Sequence, residues 1–367
     1  MFANIYKGKK VLITGHTGFK GSWITAWLLK LDAHVVGISI DIPTKPSLFE
    51  EMKLSEKITD YRQDIRDLHS VEEIITKEKP DFVFHLAAQP IVSLSYSDPV
   101  NTFSTNVMGT VNVLEALRKL ENKCIAVIIT SDKCYDNVEC VWGYKETDSL
   151  GGKDIYSGSK GAAEIVFKSY FHSFFKNHQF VTIVSARAGN VIGGGDWAKD
   201  RIVPDCMNAW HSGKSVEIRS PLATRPWQHV LEPVSGYLNL GQKIAEDQSL
   251  HGESFNFGPK SENSHSVVNL LEDLSKFWNL KDGLSPYTIT DNILFHEAGL
   301  LKLNCDKALF FLKWLPTLEY DELIAFTSQW YYEFYNNYEG KDMWEYTVNQ
   351  LQAYESLAVQ KKLKWTL

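Results

Sequence analysis

Along the first half of the chain, short unbroken apolar runs alternate with stretches whose apolar residues recur every three to four positions. KKVLITG, HVVGISID, DFVFHLAA, CIAVIITS and FVTIVSARAGNV read as buried strands, with a more polar strand inside EKITDYRQDIRD. Between them, Trp23 to Leu31, SVEEIITKEKP (closed by Pro80), Phe103 to Leu120 and Tyr156 to Asn177 carry the helical period. Strands without polar alternation are buried on both faces, and helices between them make βα units. The pattern therefore predicts an α/β fold with a doubly wound, Rossmann-like parallel sheet.

Beyond about residue 190 the rhythm changes. GGGDW is Gly-rich, RIVPDCMNAWHSGK is helical in period and SVEIRS is a short strand. SVVNLLEDLSKFW and LIAFTSQWYYEFYNNYEG read as an acidic and an aromatic helix. No repeat and no low-complexity linker separates the parts. We expect residues 1–188 to form the sheet domain and 189–367 a smaller α/β lobe packed on it, with some interleaving of chain. A crevice between the two is the expected ligand site.

Composition narrows the class. With 367 residues, 44% hydrophobic and 23% charged, the chain can bury a large core. A net charge of −7 argues against a general nucleic-acid binder. The start, MFANIYKGKKVLITG, lacks the basic and apolar regions of a secretory signal, and no apolar run reaches the length of a membrane span. Cys124, Cys134, Cys140, Cys206 and Cys305 form no CxxC and no zinc spacing, so we expect reduced thiols, a cytoplasmic protein and no metal. Cys134 reads as a small packing residue.

TGHTGFKG sets Gly15, Gly18 and Gly21 between the first strand and first helix. Glycines there allow a tight turn and close backbone approach, and the helix N-terminus then faces a pyrophosphate. Thr17 and Phe19 belong to the same turn. Asp41 lies twenty residues past Gly21, at the end of the second strand, where a carboxylate accepts from the adenosine ribose and repels a 2′-phosphate; this favours NAD over NADP. Asp64 and Ile65, after the third strand, are candidates to flank the adenine. Leu86, Ala87, Ala88 and Gln89 end the fourth strand where backbone runs close to a cofactor. GKS at Gly213 to Ser215 mimics the end of a P-loop, but Asn208 replaces the required earlier glycine.

YSGSK places Tyr156 and Lys160 at i, i+4 on one helix face. A nearby ammonium favours phenolate, which can take a proton from an alcohol while hydride leaves. A chance copy, Tyr6 and Lys10, precedes the first strand, where no site can form. Tyr156 differs because it follows the strand ending in Ser131, and residues past strand C-termini meet at the cleft. His85 reads as a satisfied core histidine.

Ser131, Tyr156 and Lys160 after an N-terminal glycine turn resemble the extended short-chain dehydrogenase/reductase family over most of the chain. The resemblance implies that Ser131 hydrogen-bonds the reacting oxygen, Tyr156 is the base, and Lys160 also holds the nicotinamide ribose. Asp132 and Lys133 directly after Ser131 resemble the sugar-nucleotide 4,6-dehydratase branch, which usually has Thr-Asp-Glu there. TSDKCY, GNVIGGGDWAKDRIVPD and RPWQHVLEP are similar to the 4,6-dehydratases that take CDP-glucose. The chemistry implied is oxidation at carbon 4, loss of water across carbons 5 and 6, and hydride return to carbon 6. Asp132 is the expected acid, given a pKa raised by burial. Lys133 either removes the carbon-5 proton, for which its pKa must be depressed, or orients Asp132 or a water.

Resemblance also assigns Asn190, Trp197, Arg201, Arg219, Arg225 and His229 to the nucleotide sugar. Arginine suits a diphosphate because its planar fork binds oxygens in pairs. It further implies a homodimer through a four-helix bundle of the Phe103–Leu120 and Tyr156–Asn177 helices, or a tetramer. It implies a place in deoxysugar synthesis for bacterial surface polysaccharide such as lipopolysaccharide O-antigen. The alternatives from the same residues are a dehydratase or epimerase of another nucleotide sugar, or a non-catalytic NAD-sensing protein.

Overall fold

The computed structural model describes residues 1–260, 265–278, 280, 283–290, 300–337 and 342–367. In chain order its strands are β1 (Lys10–Thr14), β2 (His34–Ser39), β3 (Thr59–Arg62), β4 (Phe82–His85), β5 (Cys124–Ile129), β6 (Val181–Ala188), β7 (Val191–Ile192), β8 (Val216–Ile218), β9 (Thr224–Arg225), β10 (Gln228–His229), β11 (Ser254–Phe257), β12 (His265–Ser266) and β13 (Tyr287–Ile289). The main helices are α1 (Phe19–Lys30), α2 (Leu68–Glu78), α3 (Gly109–Arg118), α4 (Ile155–Tyr170), α5 (Ile202–His211), α6 (Leu231–Glu246), α7 (Val267–Ser275), α8 (Tyr320–Tyr332) and α9 (Met343–Gln360).

Seven strands form one parallel sheet in the order β11-β6-β5-β4-β1-β2-β3. Side chains alternate between two cores because strand residues alternate faces. Val11 and Ile13 of β1, with Val127 and Ile129 of β5, join a large core that includes Trp23 and Trp27 of α1. Leu12, Ala126 and Ile128 join the opposite core, with Val113 and Leu117 of α3 and Phe167 of α4. α1 is apolar on most sides because it lies between the sheet and α9, where Trp27 Nε1 donates to Glu355 Oε1 at 2.8 Å.

The helix expected from Phe103 begins earlier. Asp98 accepts from Asn101 N and Pro99 occupies the first turn, so a short helix runs Pro99–Phe103, and the path widens over Ser104–Met108 before α3. The Asp154 side chain caps α4 by accepting from Ser157 N, and the path widens again over Phe171–Phe175. The aromatic C-terminal helix is α8 with a wide turn at Glu333–Asn337. Tyr338 to Gly340, the rest of that expected helix, lie outside the described residues. The tail of the acidic-helix stretch is likewise shorter than expected, with α7 ending at Ser275.

The sheet is completed from the second half of the chain. β11 pairs with β6 from Ser254 opposite Ser185 to Phe257 opposite Ala188. The carboxyl ends of β1, β4, β5, β6 and β11 therefore share one edge, which is where a doubly wound sheet presents its ligands.

Candidate active site

At the end of β1 the chain turns at Gly15, whose φ of +78° belongs to the left-handed region. An added Cβ there would lie 2.7 Å from Ala87 N, and at Gly21 it would lie 2.0 Å from Gly15 O, so both positions require glycine for the turn itself. Gly18 is different. Its φ and ψ of −74° and 170° suit any residue, and a Cβ would meet nothing nearer than Gly15 O at 3.5 Å. The protein does not need glycine there, whereas a diphosphate lying on the α1 N-terminus does. The residues thus fit a dinucleotide.

Around this turn, Thr17 Oγ1 donates to the Asp41 carbonyl at 2.6 Å, bringing the end of β2 alongside. Asp41 is exposed. Phe19 begins α1, half-buried. Asp64 holds Arg66 at 2.8 Å through Nε. Ile65 packs against Gly109 in the core and its carbonyl accepts from Asn112, so its side chain serves packing, not the crevice expected for it. Leu86, Ala87 and Ala88 are half-buried against the glycine turn, with Ala87 N donating to Thr14 Oγ1 at 3.2 Å. The Gln89 amide is engaged internally, donating to Thr102 and accepting from Ile91 N. His85 is bonded on both nitrogens, to Thr14 and Thr110, as expected for a core histidine.

The opening past β5 gathers the second group. Ser131, Asp132, Tyr156 and Lys160 are all at most 8% exposed. Ser131 Oγ donates to Asp132 Oδ1 at 2.9 Å and accepts from Lys133 N at 3.2 Å, which fixes the short turn Asp132–Cys134. Lys133 is half-buried. Burial pushes the Tyr156 phenol up to about 12, against which the Ser131 hydrogen bond and the Arg201 charge pull down. This corrects the expectation of a phenol lowered by Lys160: burial outweighs the cations around it. Burial draws the Lys160 ammonium down to about 8, with Cys134 and Glu164 opposing. Burial also raises the Cys134 thiol well above its ordinary value, consistent with a packing thiol. Tyr6 and Lys10 go separate ways, Tyr6 to the Leu238 carbonyl and Lys10 to Glu78, and form no site.

Sequence reasoning missed what holds this turn. Thr130 Oγ1 donates to Glu164 Oε1 at 2.5 Å, and Tyr135, at its other end, meets Arg187 Nη1 at 2.7 Å. Glu164 and Arg187 are fully buried and paired at 2.7 Å. One ion pair therefore clamps both ends of Thr130–Tyr135. The available signal was a glutamate four residues after Lys160 and an arginine inside the apolar run SARA. Lys20 was missed as well. It stands in the first turn of α1, where a cation opposes the helix dipole, and burial with the charges of Arg201 and Lys160 brings it down to about 8, while Asp132 opposes.

The candidate substrate residues divide. Arg201 pairs with Asp196 Oδ2 at 2.8 Å and its charge reaches Tyr156, so it joins the site. Asn190 is half-buried just past β6. Arg225 is half-buried on β9, its Nη1 donating to the Thr224 carbonyl. Arg219 is exposed past β8. Trp197 is not at the surface expected of a contact residue: it is 6% exposed among Trp330, Tyr331 and Phe334, with its N–H donated to Tyr335. His229 is fully buried between Trp23 and Phe326, and burial lowers its pKa to about 3. Both are packing residues behind the site.

A family model described as GDP-mannose 4,6 dehydratase matches residues 12–327. The chain belongs to this family. It is 45% identical over 332 residues to CDP-glucose 4,6-dehydratase of Salmonella typhimurium, covering 89% of this chain and 92% of that protein. It is 28% identical to CDP-paratose 2-epimerase of Salmonella typhi, covering 74% of this chain and 85% of that one. Among solved structures, dTDP-glucose 4,6-dehydratase of Bacillus anthracis in complex with NAD superposes with a TM-score of 0.73 at 19% identity, covering 90% of this chain and 98% of that chain. That likeness is one of fold.

Within the family's scaffold the arrangement has a stated chemical capacity. A buried hydroxyl and phenol, with an ammonium one helical turn on from the phenol, suit oxidation of an alcohol, and a carboxyl one residue past the hydroxyl can give or take a second proton. Among the described residues, no helix is long and apolar enough to cross a membrane.

Proposed function

We propose that the protein is an NAD-dependent hydro-lyase that converts CDP-glucose to CDP-4-dehydro-6-deoxyglucose. The observation that carries this reading is the Ser131–Asp132 hydrogen bond beside buried Tyr156, which puts an acid next to an alcohol-oxidising pair. The 45% identity to a CDP-glucose 4,6-dehydratase supports the substrate.

Gly15, Gly18 and Gly21 would hold NAD, with Asp41 toward its ribose, and the nicotinamide would supply hydride transfer from carbon 4 and back to carbon 6. Tyr156 takes the proton from the carbon-4 hydroxyl, and Ser131 turns its hydroxyl proton from Asp132 to that oxygen when substrate is bound. Lys160 would hold the nicotinamide ribose. The carbon-4 carbonyl acidifies the carbon-5 proton, which Lys133 removes. Asp132 gives a proton to the carbon-6 hydroxyl, which leaves as water. Arg201 and Arg225 hold the diphosphate, and Asn190 and Arg219 complete the nucleotide side.

We also propose a homodimer. Val100, Phe103, Met108 and Ile165 lie exposed on the Pro99–Arg118 and α4 helices, at 79%, 39%, 51% and 55%. Such an apolar face suits a second copy. The enzyme works in the cytoplasm, upstream of deoxysugar transfer to surface polysaccharide.

The test is to incubate the protein with CDP-, dTDP-, GDP- and UDP-glucose in parallel and follow product mass. Loss of one water from CDP-glucose alone is the expected result. Unchanged mass with an altered sugar would make it an epimerase, and dehydration of another nucleotide sugar would move the specificity.

A further inference from the structure

Past the carboxyl ends of β6 and β11 lies a narrow cleft lined by Gly189, Pro226, Gln228, Gly258 and Leu303 among others. Gln228 is the anomaly in it. The residue is 2% exposed, and its Nε2 lies 3.3 Å from the Phe257 carbonyl. A carbonyl only accepts, so the atom facing it must be the NH2, and the free atom is the amide oxygen. That oxygen has no partner. A buried acceptor left unpaired destabilises a fold by about 1–3 kcal/mol, so a side chain of this kind in a cleft wall points to a ligand donor.

The Gln228 amide also lies near Asp132, across Gly189. A Cβ added there would lie 3.1 Å from Asp132 Oδ2 and 4.0 Å from Gln228 Nε2, so carboxyl and amide flank the same glycine. Asp132 Oδ1 already accepts from Ser131, which leaves Oδ2 toward Gly189, a residue of the cleft wall. A hydroxyl that receives a proton on its lone pair still carries its own O–H, which needs an acceptor to be oriented. The carboxyl supplies the first and the amide oxygen the second.

We propose that Gln228 Oε1 accepts the O–H of the hydroxyl that Asp132 protonates, and so selects a hexose bearing oxygen at carbon 6. This rests on the reading of Asp132 above. In the elimination the base removes the carbon-5 proton, its electron pair forms the carbon 5–carbon 6 double bond, and the carbon 6–oxygen bond breaks. The oxygen leaves as water with its own hydrogen, donated to Gln228, and the proton from Asp132. Gln228 is a specificity and positioning residue in that step.

The test couples the side chain to the substrate oxygen. Binding of CDP-glucose and CDP-6-deoxyglucose to the NAD-loaded protein is measured for wild type, Gln228→Met and Gln228→Glu. In wild type, loss of the carbon-6 oxygen should weaken binding about five- to tenfold, the range of one hydrogen bond. Gln228→Met should shrink the difference, leaving only the part due to Asp132, and Gln228→Glu, which keeps an acceptor, should retain it in full. With CDP-glucose, Gln228→Met should also accumulate reduced cofactor at 340 nm, because elimination slows more than oxidation. Equal weakening of both ligands by Gln228→Met means a packing residue or a structural water only, and overturns the proposal. So does a wild type indifferent to the carbon-6 oxygen, even if neither variant folds. A wild type that dehydrates no CDP-glucose fails the functional reading instead, and shows itself in the first control.

Discussion

The β1–α1 side of the crevice is shaped by main chain and the absence of side chains, whereas the β5–β6 side is shaped by buried charge. On the first side Gly15 and Gly21 are required by contacts of 2.7 and 2.0 Å within the turn, and Gly18 by nothing in the protein. On the second side, Glu164 and Arg187 are buried together at 2.7 Å and hold both ends of the turn bearing Ser131 to Lys133. A main-chain cradle presents N–H groups without side chains that could swing away. A turn that must position a hydroxyl and a carboxyl against a phenol needs side chains, and these must be locked from behind. Isolated buried pairs seldom add stability over apolar packing, so the pair is better understood as a positioning device.

The strongest way to break the comparison is on the main-chain side. Gly21→Ala should leave little folded protein, because its Cβ would sit 2.0 Å from Gly15 O. Gly18→Ala should fold normally and lose cofactor affinity at least tenfold; titration of NAD against both variants, with circular dichroism as control, separates the two kinds of glycine. On the charged side, Glu164→Gln should lower unfolding free energy by about 3 kcal/mol or more, since it strands Arg187. The double change Glu164→Leu with Arg187→Met should recover most of it in denaturant melts while leaving activity low. The smallest effect concerns pH. The Lys160 ammonium loses its proton as pH rises through about 8, so kcat/KM should fall above that value. Lys160→Arg should move the alkaline limb upward, because guanidinium stays charged. Lys20→Met, next to it and also near 8, should leave the limb in place; a limb that follows Lys20 would reassign it.

The glycine turn, the strand ends and the Ser131, Tyr156 and Lys160 set were readable because each depends on local spacing: a turn between strand and helix, or one helix face. The clamp was not, because Glu164 and Arg187 lie on α4 and β6, and only the pairing of β5 with β6 brings Thr130 and Arg187 to one carboxylate. Trp197 and His229 carry side chains equally suited to a ligand or a core, and only their neighbours decide. Periodicity could not show that the path from Pro99 widens before α3, since both windings keep an apolar stripe. The Tyr156 phenol depends on burial against charge, a balance that spacing does not contain.

β11 has a consequence in time as well as space. During synthesis β6 emerges with one edge bare, and that edge stays a row of unpaired N–H and C=O groups until Phe257 has been made. The sheet that carries the glycine turn is thus finished only by a strand from the second half of the chain. The β6 edge of the crevice can be complete only once residues 254–257 have been made.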